Sequence, residues 1–195
     1  MPILPPEPFL FPDDLFADPG CRPTDTQRWL VLHTRPRAEK ALARRFLARS
    51  LPFFLPLFAK RGRCRGRLFT SYLPLFPGYI FLLGDAETRL EALQTNLVAQ
   101  CLPVGDQEQL HADLLRIHHL VTSGEPLVPE ERLLPGTPVE IIDGPLKGLQ
   151  GKIIRRGKRL TFVVEVNFLQ RGASVEIDGW MIQPLSNRQP LACSR

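Results

Sequence analysis

The sequence predicts an α+β protein: a ferredoxin-like α/β sandwich followed by a small all-β, SH3-like barrel. Three observations predict it. Over residues 28–121, short apolar runs alternate with amphipathic helical stretches. From Thr137 onward the pattern consists of short strands alone. Between the two lies TSGEPLVPEERLLPG (122–136), which has three prolines, two glycines and no periodicity.

WLVLHT (29–34) is an apolar run suited to a buried strand. Pro36 fits a first helical turn, and Ala38, Leu42 and Phe46 then recur every four residues, predicting an amphipathic helix to about Ser50. LPFFLPLFA (51–59) carries prolines that suit an edge strand or extended segment. YLPLFPGYIFLL (72–83) is a second apolar run with a Pro-Gly break at 77–78. Asp85 caps a helix carrying Leu90 and Leu93, and LVAQCLPV (97–104) reads as a strand. Asp106 opens a helix with Leu110, Leu114, Ile117 and Val121 on one face, stopped at Gly124. The order strand, helix, strand, strand, helix, strand, helix is that of a split β-α-β sandwich. In the C-terminal region, VEII, GKIIRR, LTFVVEV and SVEI are strands, with turns at Gly144-Pro145, Gly157-Lys158 and Asp178-Gly179. Five short strands in about fifty residues suggest a barrel closed to protect its edges. The expected organisation is a flexible proline-rich extension (1–27, seven prolines), an α/β domain (28–121), a linker (122–136), a barrel (137–185) and a loose tail (186–195).

Several functions find no support. No apolar run reaches 18 residues, so no membrane span is expected. The N-terminus has acidic residues, many prolines and no basic region of the secretory kind. Cys21, Cys64, Cys101 and Cys193 form no CxxC pair, which fits scattered thiols in a reducing cytoplasm better than a zinc site or a disulfide framework. His33, His111, His118 and His119 have no matching cysteine or carboxylate spacing, and no phosphate-loop, dinucleotide or hydrolase motif is present. Neither an enzyme nor a cofactor is expected.

Charge is the informative feature. The net charge is +5, yet residues 28–71 alone hold twelve basic side chains against one acidic, Glu39. Within that block, KRGRCRGR (60–67) places Lys60, Arg61, Arg63, Arg65 and Arg67 in eight residues. In a β-ribbon the four arginines would share one face, a surface for phosphates and for guanine edges in an unpaired strand.

Two stretches carry a family resemblance. LFPGYIFLL (75–83), after the first strand and helix, and DGPLKGLQGKIIRR (143–156), similar to a KOW motif, together resemble the NusG family of transcription elongation factors over about residues 28–185. The resemblance implies that Trp29, Phe76, Pro77, Gly78, Tyr79 and Phe81 bind the clamp helices of RNA polymerase. It implies that Lys60, Arg61, Arg63, Arg65 and Arg67 meet the non-template DNA of the transcription bubble. It also implies that Leu146, Leu149, Phe168, Leu169 and Arg171 recruit the NusE ribosomal protein or Rho. The proline-rich extension and arginine-rich loop make the chain look more like specialised members such as RfaH, LoaP and the UpxY proteins, acting as antiterminators. Residues 146–177 have no helical stripe, so the C-terminal domain is expected to stay a barrel in the free protein, unlike RfaH. A cytoplasmic monomer is expected. The alternative reading is a KOW-type RNA-binding or ribosome-associated protein.

Overall fold

The computed structural model describes residues 7–64, 67–130, 136–156, 159–178 and 181–185. Arg65, the turns at Gly157-Lys158 and Gly179, and the tail from residue 186 lie outside the described residues.

The N-terminal half is a five-stranded sheet. Its strands are β1 (Leu10–Phe11), β2 (Arg28–Thr34), β3 (Phe53–Phe54), β6 (Tyr79–Gly84) and β7 (Val98–Leu102). The hydrogen-bonded order is β1-β3-β6-β2-β7, and every pair is antiparallel. Between β3 and β6 the chain leaves the sheet as a two-stranded ribbon, β4 (Leu57–Cys64) and β5 (Arg67–Pro74). Helices α1 (Glu39–Ala48) and α2 (Ala86–Gln94) are the crossovers, and α3 (Gln107–Thr122) follows β7.

The period of two in β2 and β6 sorts their side chains onto opposite faces. Leu32, Ile80 and Leu82 pack with Leu42, Ala43 and Phe46 of α1 and Ala92 of α2. Trp29, Val31, Phe81 and Leu83 pack on the other side with Leu110, Leu114, Ile117 and Leu120 of α3. Asp85 and Asp106 start α2 and α3 by accepting from the N–H groups of Thr88 and Gln109, both at 2.9 Å. Leu90 of α2 is 57% exposed, and Ala92 takes the buried position. A small residue there lets the short helix lie close to the sheet.

The extension also departs from expectation. Residues 10–11 form β1 against β3, with Leu10 opposite Phe54 and Phe11 opposite Phe53. Phe9 accepts a further bond from the N–H of Leu55 at 2.6 Å. Sheet-edge pairing and burial of Leu15 hold in place a segment whose proline content alone predicts a flexible chain.

The C-terminal half is a six-stranded antiparallel sheet: β8 (Val128–Glu130), β9 (Thr137–Ile141), β10 (Gln150–Arg156), β11 (Arg159–Val166), β12 (Arg171–Ile177) and β13 (Ile182–Pro184). The order is β13-β9-β10-β11-β12-β8. Strand β8 lies inside the expected linker; its residues pair with β12, Ser174 opposite Val128 and Gly172 opposite Glu130. Its described elements are all strands except one 3-10 turn, Asn167–Leu169.

Pro77-Gly78 turns the chain from the ribbon into β6. Gly78 has φ +85°, and the N–H of Tyr79 donates to the carbonyl of Phe76 at 3.0 Å, the pattern of a type II turn with proline second and glycine third. A Cβ on Gly78 would also lie 3.3 Å from Nε2 of His33. Gly78→Val is therefore expected to destabilise the protein by at least about 1–2 kcal/mol, the cost of a left-handed L-residue, as a lowered midpoint in urea unfolding.

Candidate partner and nucleic-acid interfaces

The Pro-Gly turn is pinned from below. The N–H of Gly78 donates to Oε1 of the buried Glu39 at 2.7 Å, joining the turn to the start of α1. This leaves Pro77 exposed and Gly78 and Tyr79 half-buried. The other three residues expected at a polymerase interface are core: Trp29 and Phe76 are 1% exposed and Phe81 is 0% exposed. Phe81 packs edge-on to Phe76 and stacks with Phe54, at 6.2 and 6.4 Å between ring centres.

Trp29 is covered by two groups. Its Nε1–H donates to Nδ1 of His111 at 3.1 Å, and Phe16 of the extension stacks over its ring at 6.0 Å. Phe16 also meets Phe54 edge-on at 5.1 Å and lies 5.0 Å from His118. The four rings form an aromatic seat filled by Phe16, beside the fully buried Leu15. Burial pushes the pKa values of both His111 and His118 below the ordinary 6.5, with Arg22 adding to the shift at His111 and His119 to that at His118. The unfolded chain binds these protons more readily than the folded one, so stability falls as pH drops through 6.5. Nδ1 of His118 is buried with no hydrogen-bond partner among the described residues.

The C-terminal sheet leans on α3. Asp113 of α3, 1% exposed, is the joint. Its Oδ2 accepts from the backbone N–H of Asn167 at 2.9 Å and from Nδ2 of the same residue at 3.4 Å. Its Oδ1 accepts from Gln109 Nε2 at 2.7 Å and Arg116 Nη2 at 2.6 Å. Beside this joint, Phe168 and Leu169 pack partly buried on the same core as α3. Arg171 places its guanidinium 5.4 Å from the centre of the Tyr79 ring, a cation–π contact. Leu146 and Leu149 are buried in that core, at 6% and 5% exposure. The residues expected to recruit a second partner are thus turned toward the N-terminal half or into the core.

The basic stretch is a ribbon, and its register is explicit. Arg61 stands opposite Thr70, Arg63 opposite Leu68 and Ala59 opposite Tyr72, so Arg61 and Arg63 share a face with Tyr72 and Leu68. Gly62 stands opposite Phe69, whose ring lies where a Cβ on Gly62 would be. Lys60 occupies that second face, and Arg67, opposite Cys64, falls in its register row rather than in the row of Arg61 and Arg63. The expected single face of four arginines is corrected here for the described residues: the antiparallel register that pairs Cys64 with Arg67 puts Arg67 out of the row of Arg61 and Arg63. Leu68 is 77% exposed, Tyr72 54% and Phe69 48%. Exposed rings between cations are a stacking platform for unpaired bases. Phe69 and Tyr72 escaped the sequence reading because only the pairing of β4 with β5 brings them beside the basic residues. A groove of about 750 Å³ at the ribbon base is lined by Phe9, Phe58, Arg61, Tyr72, Val121 and Leu127, among others.

Residues 27–113 match the family model for NusG, described as transcription termination factor nusG. Residues 27–113 are thus similar to the NusG family. No curated protein matches this chain. Among solved structures, the crystal structure of the MjSpt4:Spt5 complex in conformation B is similar at 17% identity, covering 83% of this chain and 99% of that one, with a TM-score of 0.27. That superposition is too loose to carry weight on function. Among the described residues no group of histidine, cysteine and carboxylate side chains could hold a metal, and no helix is long and apolar enough to cross a membrane.

Within the NusG-type domain the family match ends at residue 113, at the carboxylate that grips the C-terminal sheet. Asp113→Ala leaves the N–H of Asn167 without its acceptor and frees Arg116. The expected cost is about 1–3 kcal/mol for the unsatisfied group, seen as a lower urea midpoint and a shifted Asn167 amide signal by NMR. An unchanged midpoint and signal would mean the joint contributes nothing.

Proposed function

We propose that the protein is a transcription elongation and antitermination factor, of the specialised kind, that binds the clamp helices of RNA polymerase through the NusG-type domain. The observation that carries this reading is the family match over 27–113, the region holding the LFPGYIF turn and the basic ribbon. The strand order β3-β6-β2-β7, with both crossover helices on one face, supports the ferredoxin-like description, and the short C-terminal strands support a KOW barrel. Pro77, Gly78 and Tyr79 are the exposed edge of the polymerase face; Trp29, Phe76 and Phe81 lie beneath it and reach a partner once its covering residues move. Bridging the polymerase cleft disfavours the paused state, so the factor acts by binding and not by chemistry, in the cytoplasm and as a monomer.

The ribbon meets the non-template strand, Arg61 and Arg63 on phosphates or guanine edges and Phe69 and Tyr72 on base faces. Phe168, Leu169 and Arg171, with Leu146 and Leu149 behind them, serve the NusE ribosomal protein or Rho. Arg171 cannot hold Tyr79 and such a partner together, so recruitment follows release of the C-terminal sheet from α3.

Immobilised bacterial RNA polymerase should retain the full chain, and Tyr79→Ala should weaken retention by about 1 kcal/mol or more, as an aromatic anchor does. Tight binding to ribosomal RNA with no retention by polymerase would favour a KOW-type RNA-binding protein instead. Replacing Arg61 and Arg63 with alanine should lower the slope of log K against log salt for single-stranded DNA by about 0.7 for each phosphate no longer neutralised. An unchanged slope would remove the ribbon from the DNA interface.

A further inference from the structure

The extension does more than lengthen the chain. Its Leu15 and Phe16 fill the seat formed by Trp29, Phe54, His111 and His118, and Leu15 is fully buried. Leu10 is buried as well, and Phe9, Phe11 and Cys21 pack partly buried on the cores, so side chains and not backbone hold the segment. Its backbone makes only two register pairs with β3 and the one bond from Leu55 to Phe9. Glu7 pairs with Arg44 at 2.7 Å, but both side chains are well exposed, so the pair adds little. Asp13, Asp14, Ala17 and Asp18 on either side of Leu15 and Phe16 face solvent, as do Arg22 and residues 24–26 on the way to β2. A two-stranded edge of this length is marginal without the side chains it carries. Its occupancy of the seat is also incomplete, because Nδ1 of His118 stays buried without a hydrogen-bond partner among the described residues. A buried polar atom left unsatisfied in the closed arrangement is a standing cost that a better-fitting occupant removes.

Trp29 and its neighbours are the apolar floor of the polymerase face in the reading above, and this inference rests on that reading. We propose that residues 9–18 are a displaceable plug, and that the polymerase helices enter the seat by expelling Leu15 and Phe16. The chain's own occupant states the chemistry the seat accepts: a branched aliphatic side chain next to an aromatic ring, on a segment with outward-facing acidic groups. The partner's contact would carry the same pair of anchors. This cover is separate from the one made by Arg171 over Tyr79, because the two lie on different residues of the face and are contributed by opposite ends of the chain.

The plug can be followed in the wild-type chain by hydrogen–deuterium exchange with and without core RNA polymerase. Residues 9–18 and the amide of Leu55 should exchange faster in the complex, while the helix amides of α1 stay as they were. Slower or unchanged exchange over 9–18 in a formed complex would overturn the proposal. As a second measurement, Phe16→Ser is made in the Asp113→Ala background, so that the C-terminal sheet does not mask the effect. With the closed state populated at about 90% or more, emptying the seat should tighten polymerase binding by about tenfold or more. Equal affinity, or weaker binding with unchanged circular dichroism, would show the segment to be a fixed part of the fold or of the interface. Polymerase that binds neither chain is a different result: it removes the polymerase reading itself, and the plug with it.

Discussion

A sheet with two apolar faces must be covered twice, and this chain has three helices among the described residues to do it. Helices α1 and α2 cover one face completely, with Leu32, Leu42, Phe46, Ile80 and Leu82 fully buried. Helix α3 alone is too narrow for the other. The remainder, around Tyr79 and the part of Trp29 that His111 does not reach, is apolar surface that water does not tolerate in bulk. The chain closes it with material from both ends: Leu15 and Phe16 from the N-terminal side, and the Asn167–Leu169 turn with Arg171 from the C-terminal side. The conformation of the whole molecule follows from that shortage of helix.

The two covers differ in physical character. The N-terminal one is almost purely apolar and aromatic, and it tolerates rearrangement without creating a new unpaired charge. The C-terminal one is directional. Asp113 accepts four hydrogen bonds, two of them from Asn167, so a shift of the turn by one residue would leave a buried carboxylate short of donors. The first fixes where apolar matter sits; the second fixes orientation. The ribbon belongs to neither. It stands as its own two-stranded sheet, with Tyr72 on one face and Phe69 on the other.

Much of this was legible in the residues. The periodicity of Leu42 and Phe46, the caps Asp85 and Asp106, and the Pro-Gly break at 77–78 are local features, and local features fix local structure. The misses share a cause. Phe16 sits on Trp29, and Asn167 lies 54 residues from Asp113. No spacing rule reports such contacts, because they are decided by what surface remains unburied after the helices have packed. The proline-rich composition of the extension suggested a free chain for the same reason: composition records the entropy of a segment and is silent about the vacancy it can fill. Arg67 changed register rows because the antiparallel pairing of β5 with β4, and not alternation along one continuous strand, sets its row.

Strand β8 has a consequence for reach. Helix α3 ends at Thr122 and β8 begins at Val128, so five residues, 123–127, separate the N-terminal half from the C-terminal sheet. Fully extended, they span at most about 17 Å. While β8 stays paired with β12, a released C-terminal sheet remains within that radius of α3, and its local concentration there stays high. Recapture is then fast, and only a partner that binds tightly or that peels β8 away can hold the two halves apart. Three residues of strand thereby set how far the C-terminal half can travel.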